Sequence, residues 1–238
     1  MKIDVLDHGY VALKDHMGSD LSVVNAARVS HQKESYKFEN RDEKLLAFLA
    51  KEGHTSPFRH AFLTLEVYAP LLVARQWWKY VVGSDHQDKF AAWNESSRRY
   101  ITEDVVFYMP GTWRHAPESL KQGSGHAFKE EENSELRNLL ESHQARGLEL
   151  YEWALEQDVA PEQARLFLPA YGMYVRWVWT CSLQGILWFL QQRMQSDAQK
   201  EINEYARAVL EINKVKFPVS TKHWIYKGEV FELDYAEE

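Results

Sequence analysis

The sequence predicts one α+β domain spanning residues 1–238, mostly helical with a small antiparallel sheet. Three observations predict it. Apolar residues recur at helical spacing over several long stretches and alternate in a few short ones. No linker, internal repeat or low-complexity tract divides the 238 residues. A 27.9 kDa chain that is 45% hydrophobic and 26% charged buries about 70% of its extended surface in one unit, which excludes disordered and collagen-like classes.

The elements follow in order. Residues 1–13 alternate weakly around Asp7-His8-Gly9, with Ile3 and Val5 before and Val11 and Leu13 after, a small hairpin. A short helical piece covers 20–30. Residues 41–52 carry Leu45, Leu46, Phe48 and Leu49 and stop at Gly53, a helix. Over 62–68, Leu63, Leu65 and Val67 alternate with Thr64 and Glu66, a strand. Pro70 opens a helix through Trp78. Gly83, Ser84 and Asp85 make 81–92 a loop, and 94–100 form a short polar element leading into a strand near 105–108. The loosest stretch is 110–125; its run Lys121-Gln122-Gly123-Ser124-Gly125 does not match a P-loop and reads as a plain loop. Leu136, Leu140, Gly147, Tyr151 and Leu155 line one face of a long helix over 134–157. Pro161 caps the next helix and Pro169 ends it. Residues 173–192 are apolar nearly all round, which predicts one central buried helix. Residues 197–214 are amphipathic through Ile202, Tyr205, Ala206, Val209 and Leu210, and 224–233 suggest a final hairpin.

Charge distribution says more than charge total. A net charge of −7 argues against a nucleic-acid binder. Two stretches run the other way: 75–100 carries net +2, and 165–193 holds Arg165, Arg176 and Arg193 with no acid at all. Arginine in apolar surroundings is costly unless an anion meets it, so this pattern favours a phosphate-bearing ligand. The lone Cys181 forbids an internal disulfide and fits a reducing cytosol. The start, Met1-Lys2-Ile3-Asp4, lacks the apolar core of a signal peptide. The most apolar run, 177–190, is too short and too polar to span a bilayer. A soluble, cytoplasmic protein is expected.

Candidate chemistries narrow quickly. Ten histidines include no His-Glu-x-x-His and no paired-cysteine motif, so no metal site is expected. Cys181 sits in the apolar stretch and reads as a packed core thiol rather than a nucleophile. Ser96 and Ser97, beside Arg98 and Arg99, look like anion donors. No Gly-x-Gly-x-x-Gly follows a strand, so any nucleotide is held by arginines, amides and rings.

The run Arg75-Gln76-Trp77-Trp78-Lys79, followed by Asn94-Glu95-Ser96-Ser97-Arg98-Arg99-Tyr100, resembles the signature of the flavin-dependent thymidylate synthases. That signature reads Arg-Gln-x-x-Arg-His-Arg, then Asn-Glu-x-Ser-x-Arg-Tyr after a spacer. Collinear matches are Ala27-Arg28-Val29-Ser30, Gly53-His54-Thr55-Ser56-Pro57-Phe58, Ala164-Arg165-Leu166-Phe167-Leu168-Pro169, Trp179-Thr180, Phe189-Leu190-Gln191-Gln192-Arg193 and Asp197-Ala198-Gln199-Lys200-Glu201-Ile202. Two departures stand out. Lys79-Tyr80-Val81 replaces Arg-His-Arg ahead of a longer spacer, and Ser182, Gln184 and Trp188 replace the family's Asn, Arg and Asn or His.

The resemblance implies a homotetramer with sites shared between subunits, in which dUMP becomes dTMP. It implies FAD as cofactor, with methylenetetrahydrofolate and NADPH as co-substrates, and no cysteine attack on the ring. It places dUMP on Gln76, Lys79, Glu95, Ser96, Ser97, Arg98, Arg99, Arg165 and Arg193, with Arg193 catalytic at the uracil edge. FAD falls to His54, Ser56, Arg59, Lys79, Tyr80, Val81, Glu95, Ser182, Gln184 and Trp188. Two neighbouring readings stand beside it. One is a flavin- and folate-dependent hydroxymethylation at C5, prompted by Lys79-Tyr80-Val81. The other is a non-catalytic nucleotide-binding relative that kept its arginines and lost flavin.

Overall fold

In a computed structural model, the structure describes residues 1–82, 91–97, 101, 104–117 and 123–225. The first hairpin forms as expected: β1 (Lys2–Val5) lies antiparallel on β2 (Gly9–Met17), Val5 opposite Gly9. β2 pairs with β3 (Phe62–Pro70), whose predicted alternation puts Leu63, Leu65 and Val67 in the core. Two more strands complete the sheet, β4 (Ala91–Glu95) and β5 (Tyr174–Ser182). The order is β1-β2-β3-β5-β4, antiparallel throughout.

The single helix expected over 173–192 is corrected here: the first half is a strand. Trp177, Trp179 and Cys181 of β5 turn to the core, while Arg176, Val178 and Thr180 face the other way. A strand flanked on both sides, with Val178 and Thr180 half-buried on its outer face, reads as a nearly continuous apolar run, which hides its period of two. β5 pairs with β3 along its whole length, from Phe62↔Ser182 to Pro70↔Tyr174, and the Thr64 and Thr180 hydroxyls meet at 3.0 Å. Ser182 then caps α7 (Leu183–Arg193), its hydroxyl accepting from the Gly185 amide at 3.2 Å.

The remaining helices are α1 (Asp20–Arg28), α2 (Asn40–Lys51), α3 (Leu71–Trp77), α4 (Lys79–Val82), α5 (Glu130–Glu156), α6 (Pro161–Ala164), α8 (Lys200–Lys216) and α9 (Pro218–Ile225). Pro70 ends its strand and caps α3, as its fixed φ and missing N–H favour. Several expected segments shift, and the strand expected near 105–108 reduces to an isolated bridge between Phe107 and Met173. The loop over 81–92 surrenders Val81 and Val82 to α4 and Ala91 and Ala92 to β4, which also takes Asn94 and Glu95 from the expected polar element. Trp224, expected to open a hairpin, belongs to α9 and packs on Phe58 with ring centres 4.9 Å apart; the rest of that hairpin lies outside the described residues.

The core gathers where α3 and α7 meet the sheet. Trp77 stacks on Phe189 at 4.5 Å and meets Trp177 and Trp179 edge-on, both at 5.4 Å. Each such pair adds about 1 kcal/mol beyond the area it buries. Behind, Asp20 reaches from α1 to cap α9, accepting from the Val219 and Ser220 amides, both at 2.9 Å. Gly147 on α5 lets a following turn come close: a Cβ there would stand 2.6 Å from Pro169 Cδ and 2.9 Å from the Phe167 carbonyl. Among the described residues no helix is long and apolar enough to cross a membrane.

Candidate active site

β4 leaves the sheet at Glu95 and delivers Ser96 and Ser97 to the mouth of a cleft of about 620 Å³. Arg165 enters from the opposite side, on the 3-10 turn Arg165–Phe167 that α5 accommodates at Gly147. Leu71, Met173 and Val175 floor the cleft. The backbone around Ser96 is fixed, since its amide donates to the Arg176 carbonyl at 2.8 Å and its Oγ accepts from the Arg176 amide at 3.2 Å. Partial enclosure pushes the Glu95 carboxyl up, while Trp93 Nε1, donating at 3.2 Å, and the Arg75 charge pull it back. Four residues named in the sequence thus share one cleft. Arg98 and Arg99 lie outside the described residues.

The three arginines of the acid-free stretch find no carboxylate within the described residues. Among the described residues Arg28, Arg41, Arg114 and Arg146 pair with carboxylates; Arg165, Arg176 and Arg193 do not, and neither do Arg59, Arg75, Arg137 and Arg207. Arg165 Nε donates to the Glu162 carbonyl at 3.2 Å, and Arg176 lies 5.7 Å from the Tyr68 ring centre. Arg193 closes α7 with its guanidinium carbon 5.2 Å from the Tyr80 ring centre. Its Nε is buried with no hydrogen-bond partner among the described residues. Burial pushes the Tyr80 hydroxyl up, and the Arg193 charge works against that push. The residue standing where the family has histidine is therefore the one that touches Arg193.

The residues expected to hold a flavin divide into two groups. His54 and Ser56 are exposed at the 3-10 turn Ser56–His60, where Arg59 Nη2 donates to Thr55 Oγ1 at 3.3 Å. That turn packs on α7, and the Leu183 amide bonds to the Ala61 carbonyl at 2.7 Å. Ser182 is buried and serves its own helix as cap. Gln184, 1% exposed, has both amide atoms without a partner among the described residues, as does Arg59 Nε. Trp188 follows Gln184 by one turn, but Arg193 lies half a turn round the helix and about 14 Å along it. Lys79 is exposed and Val81 half-buried on α4. Among the described residues, Glu95 is the member of this set that lines the serine cleft, and no described pocket joins the others to it.

Gln76, half-buried on α3, joins a third set of residues. Its Nε2 donates to Gln199 Oε1, and Gln199 Nε2 donates to Glu201 Oε2 at 2.8 Å. Glu201 also accepts from Arg114 Nη2 at 2.8 Å and from the Tyr108 hydroxyl at 3.3 Å. Sequence reasoning had no role for Gln199, Glu201, Arg114 or Tyr108. The only signal lay in the run 197–202, noted as a family-like element without assigned chemistry.

An antiparallel sheet backed by helices, with a serine- and arginine-lined cleft, defines a protein built to hold an anionic ligand. A family model described as thymidylate synthase complementing protein matches residues 12–219. A flavin-dependent thymidylate synthase of Thermotoga neapolitana is 38% identical over 238 residues, covering 97% of this chain and 98% of that one. One from Thermus thermophilus is 37% identical over 220 residues, covering 92% and 77%. The crystal structure of a UMP/dUMP methylase, PolB, from Streptomyces cacaoi bound with 5-Br dUMP superposes with a TM-score of 0.79 at 26% identity, covering 93% and 97%. The chain belongs to the flavin-dependent thymidylate synthase family.

Proposed function

We propose that the chain, as one unit, is a flavin-dependent thymidylate synthase that methylates C5 of dUMP to give dTMP. Methylenetetrahydrofolate is the carbon donor, and NADPH is the reductant that recharges FAD. The observation that carries this reading is Arg165, which has no carboxylate partner among the described residues and shares a cleft with Glu95, Ser96 and Ser97. Arg165, with Arg99 and the two hydroxyls, holds the nucleotide's phosphate and ribose. Arg193 faces the uracil edge, where a guanidinium that never gives up its proton stabilises the ring deprotonated at N3. That makes C5 nucleophilic toward the methylene donor.

The chain's unsatisfied groups fit a flavin. The Gln184 amide and Arg59 Nε are buried hydrogen-bonding atoms with no partner among the described residues, a state that costs about 1–3 kcal/mol each unless something meets them. With exposed His54 and Ser56 they would hold FAD, alongside Lys79, Tyr80, Val81, Glu95 and Trp188. When bound, reduced FAD supplies the hydride that completes the methyl group. Among the described residues most of this set lies apart from the serine cleft, which supports a homotetramer whose sites are completed by neighbouring subunits. The lone buried Cys181 supports a place in the cytoplasm.

The test is direct. The purified protein is expected to be yellow, to bind dUMP, and to release dTMP when given methylenetetrahydrofolate and NADPH. A product heavier by one oxygen moves the reading to hydroxymethylation, and a colourless protein that takes up no FAD overturns it.

A further inference from the structure

The chain Gln76–Gln199–Glu201 has a direction, and its buried end sets it. Glu201 is 4% exposed at the start of α8, beside a cavity of about 330 Å³ that Gln199, Arg114 and Tyr108 also line. Burial raises its carboxyl pKa, but hydrogen bonds from Arg114 and Gln199 outweigh that and hold it below the ordinary range. An ionised carboxylate only accepts. Gln199 must therefore turn its NH2 toward Glu201 and its carbonyl toward Gln76. Gln76 must in turn give its NH2 to Gln199, which leaves its Oε1 as the amide atom this chain of bonds does not use. An amide otherwise free to flip end over end is thereby fixed.

We propose that Glu201 and Gln199 are positioning residues that lock the Gln76 amide in one orientation, so that Oε1 is a fixed acceptor for a donor on the bound pyrimidine nucleotide. The proposal rests on reading the chain as a dUMP-binding protein. It makes a polarity prediction. In Glu201→Gln the remaining carbonyl must still serve Arg114 and Tyr108, so the new NH2 faces Gln199. Gln199 then turns over, Gln76 follows, and the nucleotide meets a donor where it had an acceptor.

The experiment measures the dUMP dissociation constant of the FAD-loaded enzyme by calorimetry, with FAD content and melting temperature as controls. Gln76→Ala, Gln199→Met and Glu201→Gln are each expected to weaken dUMP about fivefold to tenfold, the size of one hydrogen bond, with FAD content unchanged. Gln76→Ala/Gln199→Met should bind no worse than Gln76→Ala alone, because Gln199 acts only through Gln76. Two analogues locate the donor: Gln199→Met should leave the affinity unchanged for either N3-methyl-dUMP or 3′-deoxy-dUMP, whichever lacks the hydrogen that Oε1 accepts. Losses that multiply in the double variant, equal weakening of both analogues, or wild-type affinity in Glu201→Gln overturn the relay. If Glu201→Gln melts early, the cycle through half-buried Gln199 decides the question. A wild-type protein that binds no dUMP fails the functional reading and the relay with it, whereas dUMP binding with multiplying losses fails the relay alone.

Discussion

Arg193 closes its helix with its guanidinium over Tyr80 and its Nε without a partner among the described residues, a group held in place with a donor to spare. Arg193→Ala is expected to abolish dTMP formation while far-UV circular dichroism and FAD content stay near wild type. Arg193→Lys should also fall well short, because a point-charge ammonium does not reproduce the planar fork. Cys181 lies at the opposite extreme. It faces the core from near the end of β5, 1% exposed, so Cys181→Ala should cost on the order of 1 kcal/mol in denaturant unfolding and leave turnover in place. A dead but folded Cys181→Ala would point to covalent attack on the ring.

At the scale of elements, the contact of α5 with the turn that carries Arg165 is a packing decision made by Gly147. Gly147→Ala forces Pro169 and the Phe167 carbonyl to retreat, at about 1–3 kcal/mol and roughly 2–4 °C of melting temperature per kcal/mol. It should weaken dUMP binding as well, because Arg165 retreats with the turn. The start of α8 carries a pH signature. The folded pKa of Glu201 lies below the value of about 4.3 for an unfolded glutamate, so its stabilisation is complete above that pH and is lost as pH falls through the lowered value. Melting temperatures should therefore drop less steeply below about pH 4.5 in Glu201→Gln than in wild type. Legibility in the sequence followed the same physics. The hairpin, β3, α2, α5 and α8 announced themselves because one face of each is wet. β5 did not, because its outward Val178 and half-covered Thr180 blurred the alternation and its end runs straight into a buried helix. Its Val, Trp and Thr content and the Ser182-x-x-Gly185 cap were the available clues.

For the whole molecule, the exposed rings and aliphatics are the feature to account for. Tyr36 is 89% exposed, Leu166 81% and Tyr171 71%, and Leu166 sits beside Arg165. If neighbouring copies cover them, light scattering should give four times the 27.9 kDa chain mass, and dilution into monomers should strip FAD and dUMP binding together. The site was legible as far as charge could show it: three arginines without nearby acids pointed to a phosphate-bearing ligand, and the family-like motifs supplied names for the rest. The Gln76–Gln199–Glu201 relay was not legible, since Arg114, Tyr108 and Glu201 come from three segments and meet only in the folded chain. Finally, β5 passes into α7 without a single intervening residue. Ladders on both flanks of the strand fix where the helix begins, so the bearing of Arg193 is indexed to the sheet like a hand on a dial. One residue inserted into that helix would swing the guanidinium by about 100°, and evolution is left free to rewrite the letters of this segment but not to change its count.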